Sequence, residues 1–151
     1  MKKNFAEELI GHAVKREEDA YRLYTDAVKK VARPEVKKFF SELAAQELEH
    51  KKTLLNLDLN KLEKIEPKKM SDPNLSFLVA EVEKLSEGSS VQDALLYAIK
   101  REDESYRFYK EFAQLAEEGA LKKVFENLAT IEMRHKTSLE EMYEQKIYIE
   151  Y

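Results

Sequence analysis

Glu47-Leu48-Glu49-His50 is the stretch that decides the fold, and its Glu-x-x-His spacing returns 85 residues later as Glu132-Met133-Arg134-His135. Three residues along an α-helix nearly complete one turn. The carboxylate and the imidazole of each copy therefore project from one face and can bind the same metal ion. The two motifs predict helices that carry a metal site.

The composition limits the chemistry that this site can use. The 151 residues suit one domain with a substantial core, and a mixture of both charge signs with a net charge of −4 argues against nucleic-acid binding. The absence of Cys excludes disulfides and thiolate metal sites, and leaves carboxylates and three His as metal ligands. Glu7 and Glu8 interrupt any signal-peptide core, and no long apolar run follows. We expect a cytoplasmic protein without a membrane span.

Only three Gly and three Pro interrupt the chain, which predicts a few long helices. Helical periodicity places them at about 4–31, 34–56, 90–118 and 120–145. Pro34 suits the first turn of the second helix, and Ser90 with Asp93 resembles a capping box at the start of the third. The connection over about 58–88 contains the other two Pro and is too long for a tight turn.

An internal repeat relates the two halves of the chain. Residues 13–57 align with residues 98–142 without a gap, and 16 of the 45 positions are identical. One helical hairpin cannot bury its apolar face alone, so two hairpins, at about 4–57 and 89–145, should pack together. The sequence predicts a single all-α domain, a four-helix bundle with a long crossover between helices 2 and 3.

The same repeat predicts the ligands of the metal site. Glu17 precedes Glu47 by 30 residues, and Glu102 precedes Glu132 by the same 30. In an antiparallel hairpin these pairs lie at similar heights along the bundle, so six candidate ligands should converge at its middle: Glu17, Glu47, His50, Glu102, Glu132 and His135. Two divalent cations would balance the four carboxylates, and a set of oxygen and nitrogen ligands suits iron or manganese better than structural zinc.

Two further interpretations stay open at this stage. Tyr24 and Tyr109 follow Glu17 and Glu102 by seven residues, which places each phenol on the ligand face, where it can donate to a ligand carboxylate. They can equally be core aromatics whose hydroxyls bond elsewhere. The cluster itself has an alternative as a salt-bridged core, or as a bundle that has lost its metal.

The motifs together resemble the rubrerythrin branch of the ferritin-like superfamily. The resemblance spans about residues 4–145 and rests on the segments 17–21, 47–50, 102–106 and 132–135. It implies a ferritin-like fold around two iron ions, with Glu17 and Glu102 as terminal ligands and Glu47 and Glu132 as bridging ligands. His50 and His135 would be the nitrogen ligands.

This chain departs from the rubrerythrin pattern in two ways. Without Cys it has no rubredoxin-like iron domain, so electrons would come from a separate donor such as a rubredoxin-like protein. Ser105 stands where the family pattern has a further Glu, so the site should be symmetric. The resemblance also implies a homodimer, sometimes with helices exchanged across the crossover.

The leading functional hypothesis is a di-iron oxidoreductase that reduces hydrogen peroxide or dioxygen in defence against oxidative stress. One alternative is an iron-binding module that oxidises or stores iron without a peroxidase cycle. Another is a purely structural bundle. Peroxide reactivity and native mass are the properties that separate these hypotheses.

Overall fold

The computed structural model describes residues 5–57, 90–116 and 119–145. These residues form four α-helices, which we name α1 (Phe5–Lys30), α2 (Pro34–Leu55), α3 (Val91–Leu115) and α4 (Ala120–Gln145). The all-α prediction is confirmed, and the helix ends fall within about three residues of those expected from the sequence. The predicted crossover over 58–88 lies outside the described residues.

Local sequence signals explain where the helices begin. Arg33 is extended, as the residue before a proline prefers, and Pro34 occupies the first turn of α2. The predicted capping box opens α3, because the Asp93 backbone N–H donates to Ser90 Oγ (3.1 Å) while the Ser90 backbone N–H donates to Asp93 Oδ2 (3.3 Å). Gly119, just before α4, has a φ of 142°, a conformation that residues with a Cβ rarely adopt.

The helices pair as two hairpins, α1 with α2 and α3 with α4, and α1 also packs against α3. One apolar cluster contains Val31 and Val36, which flank the turn between α1 and α2, together with Leu95 near the start of α3 and Met142 near the end of α4. The beginnings of α2 and α3 therefore lie at the same end of the bundle. The two helices therefore run parallel.

A second apolar cluster fills the opposite end of the bundle. It joins Leu9 and Leu54 of the first hairpin to Phe112 and Phe125 of the second, whose rings stack with centroids 4.2 Å apart. Burial of such a side chain contributes about 1.5–3 kcal/mol each. The two apolar clusters pack the helices together at both ends of the bundle, and the predicted ligands lie between them.

Among the described residues, no helix has both the length and the apolar character needed to cross a membrane.

Candidate metal centre

All six residues that the sequence singles out as ligands lie in the interior, each at most 5% exposed. Every helix supplies part of the set: α1 and α3 contribute one Glu each, and α2 and α4 contribute one Glu-x-x-His each. The inward position of each pair follows from the helical turn, because residues three apart share a face. The structure thus brings together all six: Glu17, Glu47, His50, Glu102, Glu132 and His135.

Distances within the cluster show its two-fold character. His50 Nδ1 lies 3.0 Å from Glu132 Oε1, and His135 Nδ1 lies 3.0 Å from Glu47 Oε1. Each Nδ1 also lies 3.5 Å from the Glu supplied by the other helix of its own hairpin, Glu17 for His50 and Glu102 for His135. The nearest carboxylate to each imidazole therefore comes from the opposite hairpin, which ties the two halves together.

The candidate ligand atoms fall into two overlapping groups. Glu17, Glu47, His50 and Glu132 form one group, and Glu47, Glu102, Glu132 and His135 form the other. Within each group the ligand atoms all lie within 4.8 Å of one another. Glu47 and Glu132 belong to both groups, so their carboxylates can bridge two ions of the kind that di-metal sites hold about 3.5–4 Å apart.

The hydrogen-bonding state of these atoms tests whether a metal fits. Six buried atoms, one from each candidate ligand, have no hydrogen-bond partner outside the cluster: Glu17 Oε2, Glu47 Oε1, His50 Nδ1, Glu102 Oε2, Glu132 Oε1 and His135 Nδ1. The two imidazole nitrogens among them can bond the carboxylates beside them only when they carry a proton. Buried polar atoms without partners are rare and costly in folded proteins. Because these atoms converge on one region and are the donors that bind divalent iron or manganese, the residues present fit a pair of such ions.

The electrostatics of the cluster favour extra positive charge. Burial raises the pKa of Glu47 well above its ordinary value, and the neighbouring carboxylates of Glu132 and Glu17 raise it further. Burial alone would lower the pKa of His50, but the carboxylates of Glu132 and Glu17 outweigh it and raise that pKa to about 10. Protons or metal ions must therefore neutralise the site.

The phenols of Tyr24 and Tyr109 hydrogen-bond to the carboxylates of the cluster. Tyr24 Oη donates to Glu102 Oε1 (2.5 Å), and Tyr109 Oη donates to Glu17 Oε1 (2.6 Å). Each bond joins α1 to α3, so each phenol holds the Glu of the opposite hairpin. Burial and the nearby carboxylates raise the pKa of both phenols well above the usual value, which keeps them protonated as donors.

One polar neighbour of the cluster was not foreseen from the sequence. Gln46 lies on the solvent side of α2, yet its Oε1 is 2.6 Å from Nε2 of His135. The helical pattern places Gln46 among exposed residues, and no spacing rule connects it to α4. The only signal in the sequence is that the repeat pairs Gln46 with Ile131, a change from polar to apolar directly before the Glu-x-x-His motif.

Comparison with known protein families agrees with this architecture. The sequence profile of the rubrerythrin family matches residues 8–143, which includes all six candidate ligands and both phenols. The chain belongs to the rubrerythrin family. No curated protein matched this rubrerythrin-family chain in direct sequence comparison. Membership implies metal binding, and the buried Glu and His groups of this rubrerythrin-family bundle are compatible with a di-iron site.

Proposed function

We propose that the protein is a di-iron oxidoreductase of rubrerythrin type, which reduces hydrogen peroxide or dioxygen in defence against oxidative stress. The observation that carries the proposal is the pair of overlapping ligand groups that share Glu47 and Glu132. A single-ion site would not need two imidazoles on opposite hairpins with matched carboxylates. Manganese has similar ligand preferences and is the main alternative metal.

The chemistry requires two electrons delivered at one place. Two ferrous ions bound there would each supply one electron, which with two protons reduces one hydrogen peroxide to two waters. Glu47 and Glu132 would hold both ions together, while His50 and His135 would each bind one ion through Nδ1. The apolar clusters at both ends of the bundle limit access by bulk water.

The phenols and the outer carboxylates have a supporting role in the proposal. Glu17 and Glu102 each keep one oxygen bonded to a phenol and leave the other without a hydrogen-bond partner. This fixes the direction in which each carboxylate can approach an ion. Because these two Glu lie on α1 and α3, the four helices together define the spacing of the metal positions.

Turnover requires a source of electrons that the described residues do not supply. We propose a separate one-electron donor, such as a rubredoxin-like protein, that returns the ions to the ferrous state. A homodimer is part of the same proposal and rests on the family alone. Its mass in solution also separates this function from iron storage, which would need a large hollow assembly.

Rapid mixing tests the proposal. The ferrous-loaded protein is mixed without air against hydrogen peroxide and, separately, against dioxygen, and iron oxidation is followed by absorbance. We expect two ferrous ions bound per chain, oxidised in a single fast phase with about one peroxide consumed for each pair. Glu49→Gln, an exposed substitution within the same Glu-x-x-His motif but on a face that points away from the cluster, is the matched control.

Three outcomes would contradict the proposal. A chain that binds no ferrous ion would remove the metal centre. A slow reaction with both oxidants would leave an iron-binding module without this activity. Continued uptake of iron far beyond two ions per chain, together with a native mass of many subunits, would indicate storage.

A further inference from the structure

The two imidazoles of the centre have different outer neighbours. His135 Nε2 meets Gln46 Oε1 of α2 at 2.6 Å. The repeat places Ile131 of α4 at the position that corresponds to Gln46, and isoleucine has no polar side-chain atom to offer His50. The distances from Nδ1 to the nearest carboxylate are the same in both halves. The two halves therefore differ in the residue beside the outer imidazole nitrogen and not in the ligands.

The direction of the bond to Gln46 fixes the tautomer of His135. A side-chain amide oxygen can only accept, so Nε2 must carry the proton and donate it. In the neutral ring Nδ1 then keeps its lone pair. That nitrogen faces the carboxylates of Glu47 and Glu102 and has no hydrogen-bond partner, which is the arrangement that a metal ligand needs. An acceptor on the outer N–H also increases the basicity of a ligating imidazole.

We infer that Gln46 is a positioning residue that makes the His135 position the tighter of the two metal positions, so that a divalent ion fills it first. The inference rests on the metal centre of the proposed function. The tighter position is the one formed by Glu47, Glu102, Glu132 and His135. The other, with His50, lacks an equivalent polar residue at position 131 and fills second.

Calorimetric titration of the metal-free protein with Zn²⁺ measures the two positions separately. We expect two binding steps in the unsubstituted protein. Gln46→Met keeps the length of the side chain but removes the amide oxygen, and should weaken the tighter step by about 10–100-fold while leaving the weaker step unchanged. Gln114→Met, an exposed substitution on α3, should change neither step.

Two more variants distinguish positioning from a structural effect. Gln46→Glu retains an acceptor for Nε2–H and should preserve the tighter step. Ile131→Gln introduces an acceptor beside His50 and should tighten the weaker step, so that the two steps converge. This gain also decides the question if Gln46→Met fails to fold.

Nitrogen-15 NMR of the Zn²⁺-loaded protein gives a readout of the tautomer itself. The chain has only three His, so the ring signals can be assigned by substitution. We expect His135 to show a protonated Nε2 whose exchange with solvent is slow, and faster exchange in Gln46→Met. Indistinguishable binding steps in the unsubstituted protein, or steps that Gln46→Met leaves unchanged, would overturn the inference and leave the metal centre standing. A protein that binds no Zn²⁺, Fe²⁺ or Mn²⁺ would overturn both.

Discussion

The first hairpin, α1 with α2, and the second, α3 with α4, supply the same candidate ligands but surround them differently. Corresponding distances from Nδ1 to the carboxylates agree within 0.1 Å: 3.0 and 3.0, 3.5 and 3.5, 3.8 and 3.7 Å. Outside the cluster, Gln46 corresponds to Ile131. Asp19 pairs with Arg22 on its own helix, whereas its counterpart Glu104 pairs with arginines of both α1 and α3.

The difference shows where the physical constraints on this molecule are strongest. A buried charge without a matched partner costs several kcal/mol, so the interior cluster leaves little freedom to either half. Ion pairs that are partly exposed contribute about 1 kcal/mol or less, and their partners can differ at little cost. The pairs Lys51–Glu18 (3.2 Å) and Lys136–Asp103 (3.0 Å) are repeated with different acids.

Substitution of the shared carboxylates gives the largest expected effect and tests the symmetry of the interior. Glu47→Gln and Glu132→Gln should each weaken binding of both ions by more than about 100-fold, because loss of an outer residue alone costs about 10–100-fold. The two variants should behave alike, since each carboxylate belongs to both ligand groups. Elemental analysis and metal titration measure the loss.

The same two variants make a prediction about stability. Without metal, Glu47→Gln should be at least as stable as the unsubstituted protein, because a neutral amide replaces a carboxylate whose ionisation burial and the neighbouring carboxylates oppose. Glu132→Gln also removes the carboxylate nearest to His50 and should gain less. With metal at about 100 times its dissociation constant, only the unsubstituted protein and Glu49→Gln should gain stability, by about 2.7 kcal/mol for each ion bound. Loss of only one ion from either variant would show that the carboxylates do not bridge.

The fold could be predicted largely from the sequence because its signals are local or periodic. Pro34, the Ser90–Asp93 capping box and Gly119 each act on neighbouring backbone, and the structure confirms the helix boundaries that they predict. The convergence of the ligands also follows from local rules. Equal spacings of 30 residues across two hairpins place four carboxylates at one height.

Contacts between helices that are not sequence neighbours are what the sequence could not supply. Periodicity places Tyr24 on the ligand face of α1, but it cannot say that the phenol bonds Glu102 of α3 rather than Glu17 of its own helix. The contact of Gln46 is harder still to predict, because the residue lies on the exposed face of α2 and its amide nevertheless contacts His135. Both contacts depend on how α1 and α2 sit against the second hairpin.

The next largest expected effect is the pH dependence of the stability of the metal-free protein, which tests how protons are distributed between the two halves. The pKa of His50 is raised from 6.5 to about 10, so between these values the folded protein holds a proton that the unfolded chain has lost. Its stabilisation is complete below pH 6.5 and is lost as the pH rises toward 10. The pKa values of Glu47 and Glu132 are also raised, so the folded protein holds protons on these groups that the unfolded chain loses above pH 4.5. They too lower the stability as the pH rises.

We therefore expect the free energy of unfolding in chelator to fall by about 2–5 kcal/mol between pH 6.5 and 10. Burial would raise the pKa of Glu17, but His50 lowers it. Glu17 therefore stabilises the folded protein above about pH 4.5 and loses this contribution only as the pH falls below that value. Urea unfolding at a series of pH values measures the slope. His50→Gln should flatten most of it, and a slope that survives this substitution would place the proton elsewhere in the cluster.

The smallest effect compares the two phenols, which the two-fold arrangement makes equivalent. Tyr24→Phe and Tyr109→Phe each remove one buried donor to a carboxylate, at 2.5 and 2.6 Å, and keep the ring. Each should destabilise the metal-loaded protein by about 1.5–3 kcal/mol, the usual contribution of a hydrogen bond to a charged group. Tyr21→Phe, at an exposed phenol of α1 outside the cluster, is the control. Chemical unfolding of the Zn²⁺-loaded variants measures the loss.

The same two variants also test the order in which the metal positions fill. Because Glu102 and Gln46 both act at the His135 position, Tyr24→Phe should weaken the tighter metal-binding step and Tyr109→Phe the weaker one. The reverse assignment would contradict the order of filling.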